Sequence, residues 1–116
     1  MFRDALQDVV DKVDGAQAAL LMGFDGIAVE KYSADGFDIE TLGMEFSVVL
    51  NDARKAVLGL EAGKTDEVSF RAEKLTTVVR VLNDEYFIAL ALKPTGNLGK
   101  GRYMLRLAAP KLLNEL

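Results

Sequence analysis

The stretch DIETLGMEFSVVLNDARKAVLGL, Asp38–Leu60, is the longest helical pattern in the chain and separates two groups of predicted strands. Asp38 is a favourable N-cap, because its carboxylate can accept hydrogen bonds from the free N–H groups of the first turn. At about 100° per residue, the apolar positions form one broad sector, which is the predicted core face. Its members are Ile39, Leu42, Phe46, Val49, Leu50, Ala53, Val57 and Leu60.

Apolar side chains also occur on the opposite side of this helix. Met44 and Val48 lie nearly opposite the core face and Leu58 lies on one flank, while Asn51 and Lys55 complete the outer surface. Full burial of each apolar side chain would contribute roughly 1.5–3 kcal/mol, which favours a docking surface. Single exposed apolar residues are also common without any function. The pattern alone leaves both interpretations open.

The residues before this helix predict a first helix and a β-hairpin. Between Phe2 and Val13 the apolar residues follow one helical stripe, which Asp14-Gly15 ends. The apolar run AQAALLMG, the turn Phe24-Asp25-Gly26 and the alternating run IAVEKY then predict two strands joined by a tight turn.

The residues after the long helix predict three more strands and a last helix. The strands are EVSFRA, LTTVVRVL and YFIALAL. The last helical pattern runs from about Leu98 to Leu116, and Pro110 is expected to kink or interrupt it.

Together these elements predict an α+β fold with the order α-β-β-α-β-β-β-α in a single domain, residues 1–116. Helices are expected on both faces of a mostly antiparallel, five-stranded sheet. The runs AQAALLM and YFIALAL are apolar at nearly every position, which is typical of central strands. The alternating runs IAVEKY and EVSFRA are predicted to be edge strands.

The stretch GLEAGKT, Gly59–Thr65, ends like a Walker A loop but does not have its spacing. That motif has four residues between its glycines, whereas three separate Gly59 from Gly63. A phosphate loop also follows a buried strand and begins a helix, whereas this stretch ends a helix and precedes a strand. We therefore interpret it as a helix C-cap with a glycine turn and expect no nucleotide there.

The composition excludes several classes of function. The chain has no cysteine and no histidine, which excludes disulfides, thiolate metal sites and histidine-based catalytic triads. No constellation typical of catalysis occurs, and no cofactor is expected. No apolar run approaches the roughly 20 residues that span a bilayer. The N-terminus lacks the pattern of a secretory signal, so membrane insertion is not expected and the cytoplasm is the expected location.

The charge balance is unfavourable for binding nucleic acid. The chain has 18 acidic and 14 basic residues, a net charge of −4. The only group of basic residues close together in the sequence lies near the C-terminus and consists of Lys93, Lys100, Arg102, Arg106 and Lys111. Arg102 and Arg106 lie one helical turn apart, which favours a solvated helix face. The glycines of LGKGR could expose N–H groups to an anion, but close packing of the helix on the sheet is favoured.

From these residues the chain resembles the roadblock family of dynein light chains and bacterial small-GTPase regulators, among them the MglB-like regulators. The resemblance covers nearly the whole chain. It rests on the element order and on the stretches LLMGFDGIAVEKY, LGL, DEVSFRAEK and NLGKGRYMLR.

The resemblance implies a homodimer, or a heterodimer with a roadblock paralogue. In such dimers the third strands, here Glu67–Ala72, pair edge to edge and the second helices lie side by side. It also implies binding to a Ras-like small GTPase of the MglA type, whose hydrolysis is stimulated without an inserted arginine. The residues expected to form dimer or GTPase contacts are Met44, Val48, Asn51, Lys55, Leu58, Val68, Ser69, Phe70 and Arg71.

Two other functions remain open from the sequence. Some members of the family are structural adaptors that hold a complex together without changing hydrolysis. Helix-covered antiparallel sheets also serve as small-ligand sensors, although the lack of histidine, cysteine and tryptophan disfavours a dedicated ligand pocket.

Overall fold

A computed structural model describes all residues of the chain, 1–116. Its elements are α1 (Phe2–Lys12), β1 (Ala16–Gly23), β2 (Ala28–Ser33), α2 (Ile39–Gly59), β3 (Glu67–Arg71), β4 (Thr76–Val81), β5 (Tyr86–Leu92) and α3 (Leu98–Leu113). The order α-β-β-α-β-β-β-α and the α+β fold class are therefore confirmed. No helix is both long enough and apolar enough to cross a lipid bilayer.

The five strands form one sheet in the order β2-β1-β5-β4-β3. Every neighbouring pair is antiparallel. The apolar strands β1 and β5 lie side by side inside the sheet, whereas the alternating strands β2 and β3 form its edges, as the sequence predicts. A β-bulge between Leu21 and Met22 shifts the register near the hairpin turn. Ile27 precedes β2 and is exposed.

Helices cover both faces of the sheet, because alternate residues of each central strand point to opposite sides. Leu90 on β5 points to the layer of α1 and α3, where it packs with Leu6 and Leu105. Phe87 on the same strand points to α2, where it packs with Leu50. The sheet therefore has one apolar core on each face.

The predicted core face of α2 was wrong at two positions. Val49 and Leu60 are exposed, whereas Gly43 and Ser47 are buried against the sheet. A Cβ at Gly43 would collide with Leu20 Cδ2 on β1. The helix therefore turns its small residues toward the sheet and approaches it closely, which leaves Val49 on a flank.

The end of α2 also differs from the expected glycine cap. Glu61 has a φ of 58°, whereas Gly59 is the last helical residue and does not have a positive φ. The Ala62 N–H donates to the Val57 carbonyl at 3.1 Å and the Glu61 N–H donates to the Leu58 carbonyl at 3.0 Å. These two bonds form a Schellman motif in which a glutamate occupies the left-handed position usually held by glycine.

Pro110 does not interrupt α3, which continues to Leu113. Pro110 is exposed and lies in the last turns of the helix. Its ring therefore points to solvent and removes only one hydrogen bond near the helix end.

Candidate protein-interaction surface

The outer face of α2 carries exposed apolar side chains. Met44 is 53% exposed, Val48 is 65% exposed and Leu58 is 58% exposed. Lys55 is also exposed on this face. Asn51 differs from the expectation, because it is half-buried and its Nδ2 donates to the Phe24 carbonyl at 3.0 Å. Asn51 therefore holds the β1–β2 turn against the helix, and the outer face consists of the other four residues.

The flank of α2 that faces β3 is apolar as well. Phe46 stacks on Phe70 of β3 with 4.3 Å between the ring centroids and 6° between the ring planes. Val49 is 44% exposed on this flank, and Val68 of β3 is half-buried against the core on the α2 side of the sheet. Sequence periodicity placed Val49 in the core, because it gave the small residues on the opposite flank too little weight. An apolar strip thus runs from α2 to the edge of the sheet.

Side chains block the sheet edge formed by β2. The Lys31 carbonyl accepts a hydrogen bond from Arg3 Nη1 at 3.1 Å, and the Lys31 N–H donates to Glu30 Oε1 at 2.9 Å. Because these groups bond to side chains, they are not free to pair with another strand. Natural sheets commonly protect their edges in this way.

The sheet edge formed by β3 is open. No side chain of the structure bonds to the backbone of Glu67–Arg71, and no further strand pairs with it. The two edges of one sheet therefore differ, because side chains occupy the outward backbone groups of Lys31 on β2 but none of those on β3.

The side chains of β3 point alternately to the two layers. Val68 and Phe70 point to α2, whereas Ser69 and Arg71 point to the layer of α3. On the α3 side, Arg102 Nη2 donates to Ser69 Oγ at 3.3 Å. Arg102 Nε also lies 2.9 Å from Glu67 Oε2. The strand thus offers an apolar side and a charged side.

The Gly-Lys-Thr triplet lies in the loop between α2 and β3, as predicted, and does not begin a helix. It borders an open cavity of about 570 Å³ in which only three of the nine lining residues are hydrophobic. Lys64 Nζ lies 3.5 Å from Asp84 Oδ1, so an acidic side chain already faces its charge. Small-molecule sites have a predominantly apolar lining, which this cavity lacks.

The glycines of LGKGR support the packing interpretation. Gly101 is buried, and a Cβ there would come within 3.0 Å of Leu90 Cδ2. Asn97 caps α3 by accepting a hydrogen bond from the Lys100 N–H at 3.0 Å. The first turn of α3 therefore donates to the Asn97 side chain and packs closely on the sheet at Gly101.

The start of α2 is fixed by a charged cap. The Thr41 side chain and backbone N–H both donate to the Asp38 carboxylate, at 2.7 and 3.1 Å. These bonds hold the pKa of Asp38 below its ordinary value of 3.8, with the Thr41 hydroxyl as the largest cause.

Three solved structures describe what the chain is similar to. MglC from Myxococcus xanthus is 43% identical, with a TM-score of 0.74 over 99% of this chain and 98% of that chain. A Roadblock/LC7 domain from Streptomyces avermitilis is 13% identical, with a TM-score of 0.86 over 96% of this chain and 93% of that chain. The gliding protein MglB from Thermus thermophilus is 18% identical, with a TM-score of 0.80 over 91% of this chain and 81% of that chain.

No protein-family model and no curated protein matches the sequence. The similarity to MglC extends over the full length of both chains and includes the sequence. The similarity to MglB is one of fold, because its identity of 18% is too low to carry more.

Proposed function

We propose that this chain is a dimeric regulator that acts by direct contact with another protein. The chain belongs to the Roadblock/LC7 family, which includes MglC. Its partner would be a Ras-like small GTPase of the MglA type, whose GTP hydrolysis it stimulates or scaffolds. The observation that carries this proposal is the apolar outer face of α2 next to an open sheet edge. Exposed apolar area of this kind is typical of protein–protein contacts.

The β3 edge and the adjoining flank of α2 are proposed to bind a second copy of the chain or a paralogue. A strand that pairs with β3 extends the sheet and brings the partner's α2 next to Val49 and Phe70. Pairing would also cover the free backbone groups of β3. The stacked Phe46 and Phe70 would then lie at the centre of a continuous apolar contact.

The charges on β3 favour one register for a homodimer. In a two-fold antiparallel pair centred on Ser69, all five residues of the strand are paired. Glu67 then lies opposite Arg71 of the partner subunit, and Val68 lies opposite the partner's Phe70. Opposite charges in directly opposed positions stabilise a pair of strands by roughly 0.2–1 kcal/mol.

The outer face of α2 remains for the GTPase. Met44 and Val48 point away from the sheet, so a partner could contact them while β3 pairs with a second copy. Leu58 is exposed on the flank, where it borders the cavity beside Val81 and Leu82. Methionine suits a partner whose surface changes with its nucleotide, because the methionine side chain adapts to different contacts.

A structural adaptor is the second candidate, because the identity to MglB is too low to carry a GTPase-activating role over to this chain. The chain is 43% identical to MglC but only 18% identical to the Thermus MglB. The expectation of a GTPase activator came from MglB-like regulators, whereas the sequence similarity is to MglC. An adaptor would use the same surfaces without accelerating hydrolysis.

Single-turnover GTP hydrolysis by the MglA-type GTPase of the same organism, with and without this protein, tests the proposal. A regulator raises the rate, and the increase saturates with added protein. Binding without a change in rate would identify the adaptor. Absence of binding to both the GTP and GDP forms would contradict the proposal.

A further inference from the structure

A second surface on the other side of the sheet carries a concentrated positive charge. Arg71 of β3 and Arg80 of β4 point to the side of the sheet where α3 lies, and Arg102 and Arg106 belong to α3 itself. We call this set the arginine shelf. It lies on the other side of the sheet from the proposed GTPase contact on α2, and Arg71 at its end also lies opposite Glu67 of the partner subunit in the proposed homodimer.

The register of the strands and the turn of the helix bring these arginines together. Arg80 is paired with Glu67 and with Ile88, whose side chain packs in the α1 and α3 layer, so Arg80 points to that layer as well. The hydrogen bond of Arg102 to Ser69 fixes which side of α3 faces the strand. Arg106 lies one turn further along the same side.

The shelf is open and mostly unpaired. Ser69 and Arg71 are exposed, and Arg102 is the residue of α3 that bonds to this side of β3. Arg102 is held by Glu67. The other three arginines have no salt bridge and no side-chain hydrogen bond in the structure.

The charge of the shelf is opposite to that of the whole protein. Four arginines and Glu67 give a local charge of +3, and Glu73 and Lys74 in the adjoining turn offset each other. Since the chain has a net charge of −4, the remaining residues carry −7. Such a separation of charge favours an anionic partner at this place alone.

We infer that the arginine shelf binds an extended acidic segment of a partner protein, which goes beyond the proposed function. Arg71 and Arg80 lie near opposite ends of the strand pair, roughly 13 Å apart at about 3.3 Å per residue. In an extended peptide, the carboxylates on every second residue face the same side and repeat at about half that distance. Two carboxylates four residues apart in the peptide therefore match the spacing of Arg71 and Arg80. Arginine pairs with carboxylates through two parallel hydrogen bonds, which suits this partner.

Two other anionic partners fit the shape and charge less well. A flat anionic membrane would meet the α1 surface beside α3, where Asp4 and Asp11 are exposed. A nucleic acid needs a longer basic track, and the acidic remainder of the chain would repel it. A narrow peptide avoids both difficulties, because it can lie on the exposed face of β3, which edge-to-edge pairing with a second copy leaves uncovered.

A fluorescein-labelled peptide of alternating Glu and Ser tests the inference by fluorescence anisotropy with the full chain. The wild type should bind it at low salt, and added salt should weaken the binding. The variant Arg80→Gln with Arg106→Gln should bind about tenfold more weakly, a loss of about 1.4 kcal/mol. Both substitutions leave β3 and the outer face of α2 unchanged, so GTPase binding and dimer formation should be unaffected.

Lys100→Gln with Lys111→Gln is the matched control, because it removes the same charge from the α1 side of the same helix. Lys111 lies beside Asp8 of α1, and Lys100 is on the same face of α3. This control should bind the peptide like the wild type. The inference is overturned if the wild type does not bind, if both variants lose equal affinity, or if single-stranded oligonucleotides or phosphatidylserine vesicles bind more tightly through Arg80 and Arg106.

Discussion

The stability of the start of α2 depends on whether the carboxylate of Asp38 is ionised. Thr41 donates two hydrogen bonds to it, and these are stronger when the acceptor is ionised. The sequence was sufficient to predict this cap, because cap chemistry is local. Glu61 could not be predicted in the same way, because its positive φ follows from how the loop returns to β3 rather than from its own preference.

The depressed pKa of Asp38 makes a pH prediction. Because its folded pKa lies below 3.8, its stabilising contribution is fully present above that value and is lost as the pH falls through the folded pKa. Asn also caps helices but does not titrate in this range. Urea unfolding should therefore give a difference in the free energy of unfolding between the wild type and Asp38→Asn that is constant near neutral pH. In acid the wild type should lose stability relative to the variant.

Thr41→Val provides a graded control for this prediction. It removes the hydroxyl donor, the largest cause of the lowered pKa, and keeps the backbone donor. Its acid dependence should lie between those of the wild type and Asp38→Asn. Identical acid dependence in all three proteins would contradict this role of the cap.

At the scale of the element, α2 shows what periodicity can and cannot predict. The bounds, the cap and the exposed Met44 and Val48 follow from the sequence pattern. The rotation of the helix does not, because Gly43 and Ser47 are scored as weakly apolar although their small size lets them reach the sheet. Val49 is therefore assigned to the core by periodicity and lies on the surface in the structure.

Two glycines of α2 give a matched test of this close packing. A Cβ at Gly43 would collide with the buried Leu20 and come within 2.9 Å of Met22 Sδ, whereas a Cβ at Gly59 would meet no atom within 4 Å. Gly43→Ala should lower the free energy of unfolding by about 1 kcal/mol or more. Gly59→Ala should raise it by roughly 0.5–1 kcal/mol, because alanine is the better helix former. Equal effects in chemical denaturation would contradict the observed rotation of α2.

The charges of β3 make a prediction about pairing. In the register centred on Ser69, Arg71→Glu places two acidic pairs across a homodimer, and Glu67→Arg places two basic pairs. Each variant alone should dimerise more weakly than the wild type, by roughly 0.2–1 kcal/mol for each pair. An equimolar mixture should form the heterodimer preferentially, because each of its two pairs then joins an acidic residue of one variant to a basic residue of the other.

Native mass spectrometry of that mixture measures the three dimers directly. Glu67→Arg also places a second cation beside Arg102 of the same subunit. The free energy of unfolding of this variant is therefore measured separately, to distinguish a loss of folding stability from a loss of pairing. A statistical mixture of homodimers and heterodimers would reject this register.

At the scale of the whole molecule, the sheet separates two surfaces. The α2 side offers apolar contacts and an open edge, and the α3 side offers the arginine shelf. The sequence predicted the first surface from the pattern of one helix together with the family resemblance. The second depends on the antiparallel register of β3 with β4, which brings Arg71 and Arg80 to the side of Arg102, and such long-range pairing cannot be inferred from local patterns.

The most direct test of the account is a titration of the GTP-loaded MglA-type GTPase against wild-type protein and against Met44→Asp with Val48→Asp. Both side chains point to solvent in the structure, so the variant should keep the fold and the dimer. We expect saturable binding by the wild type and none by the variant, although both should have the same circular dichroism spectrum and the same mass in solution. Equal affinity of the two proteins for the GTPase would contradict it.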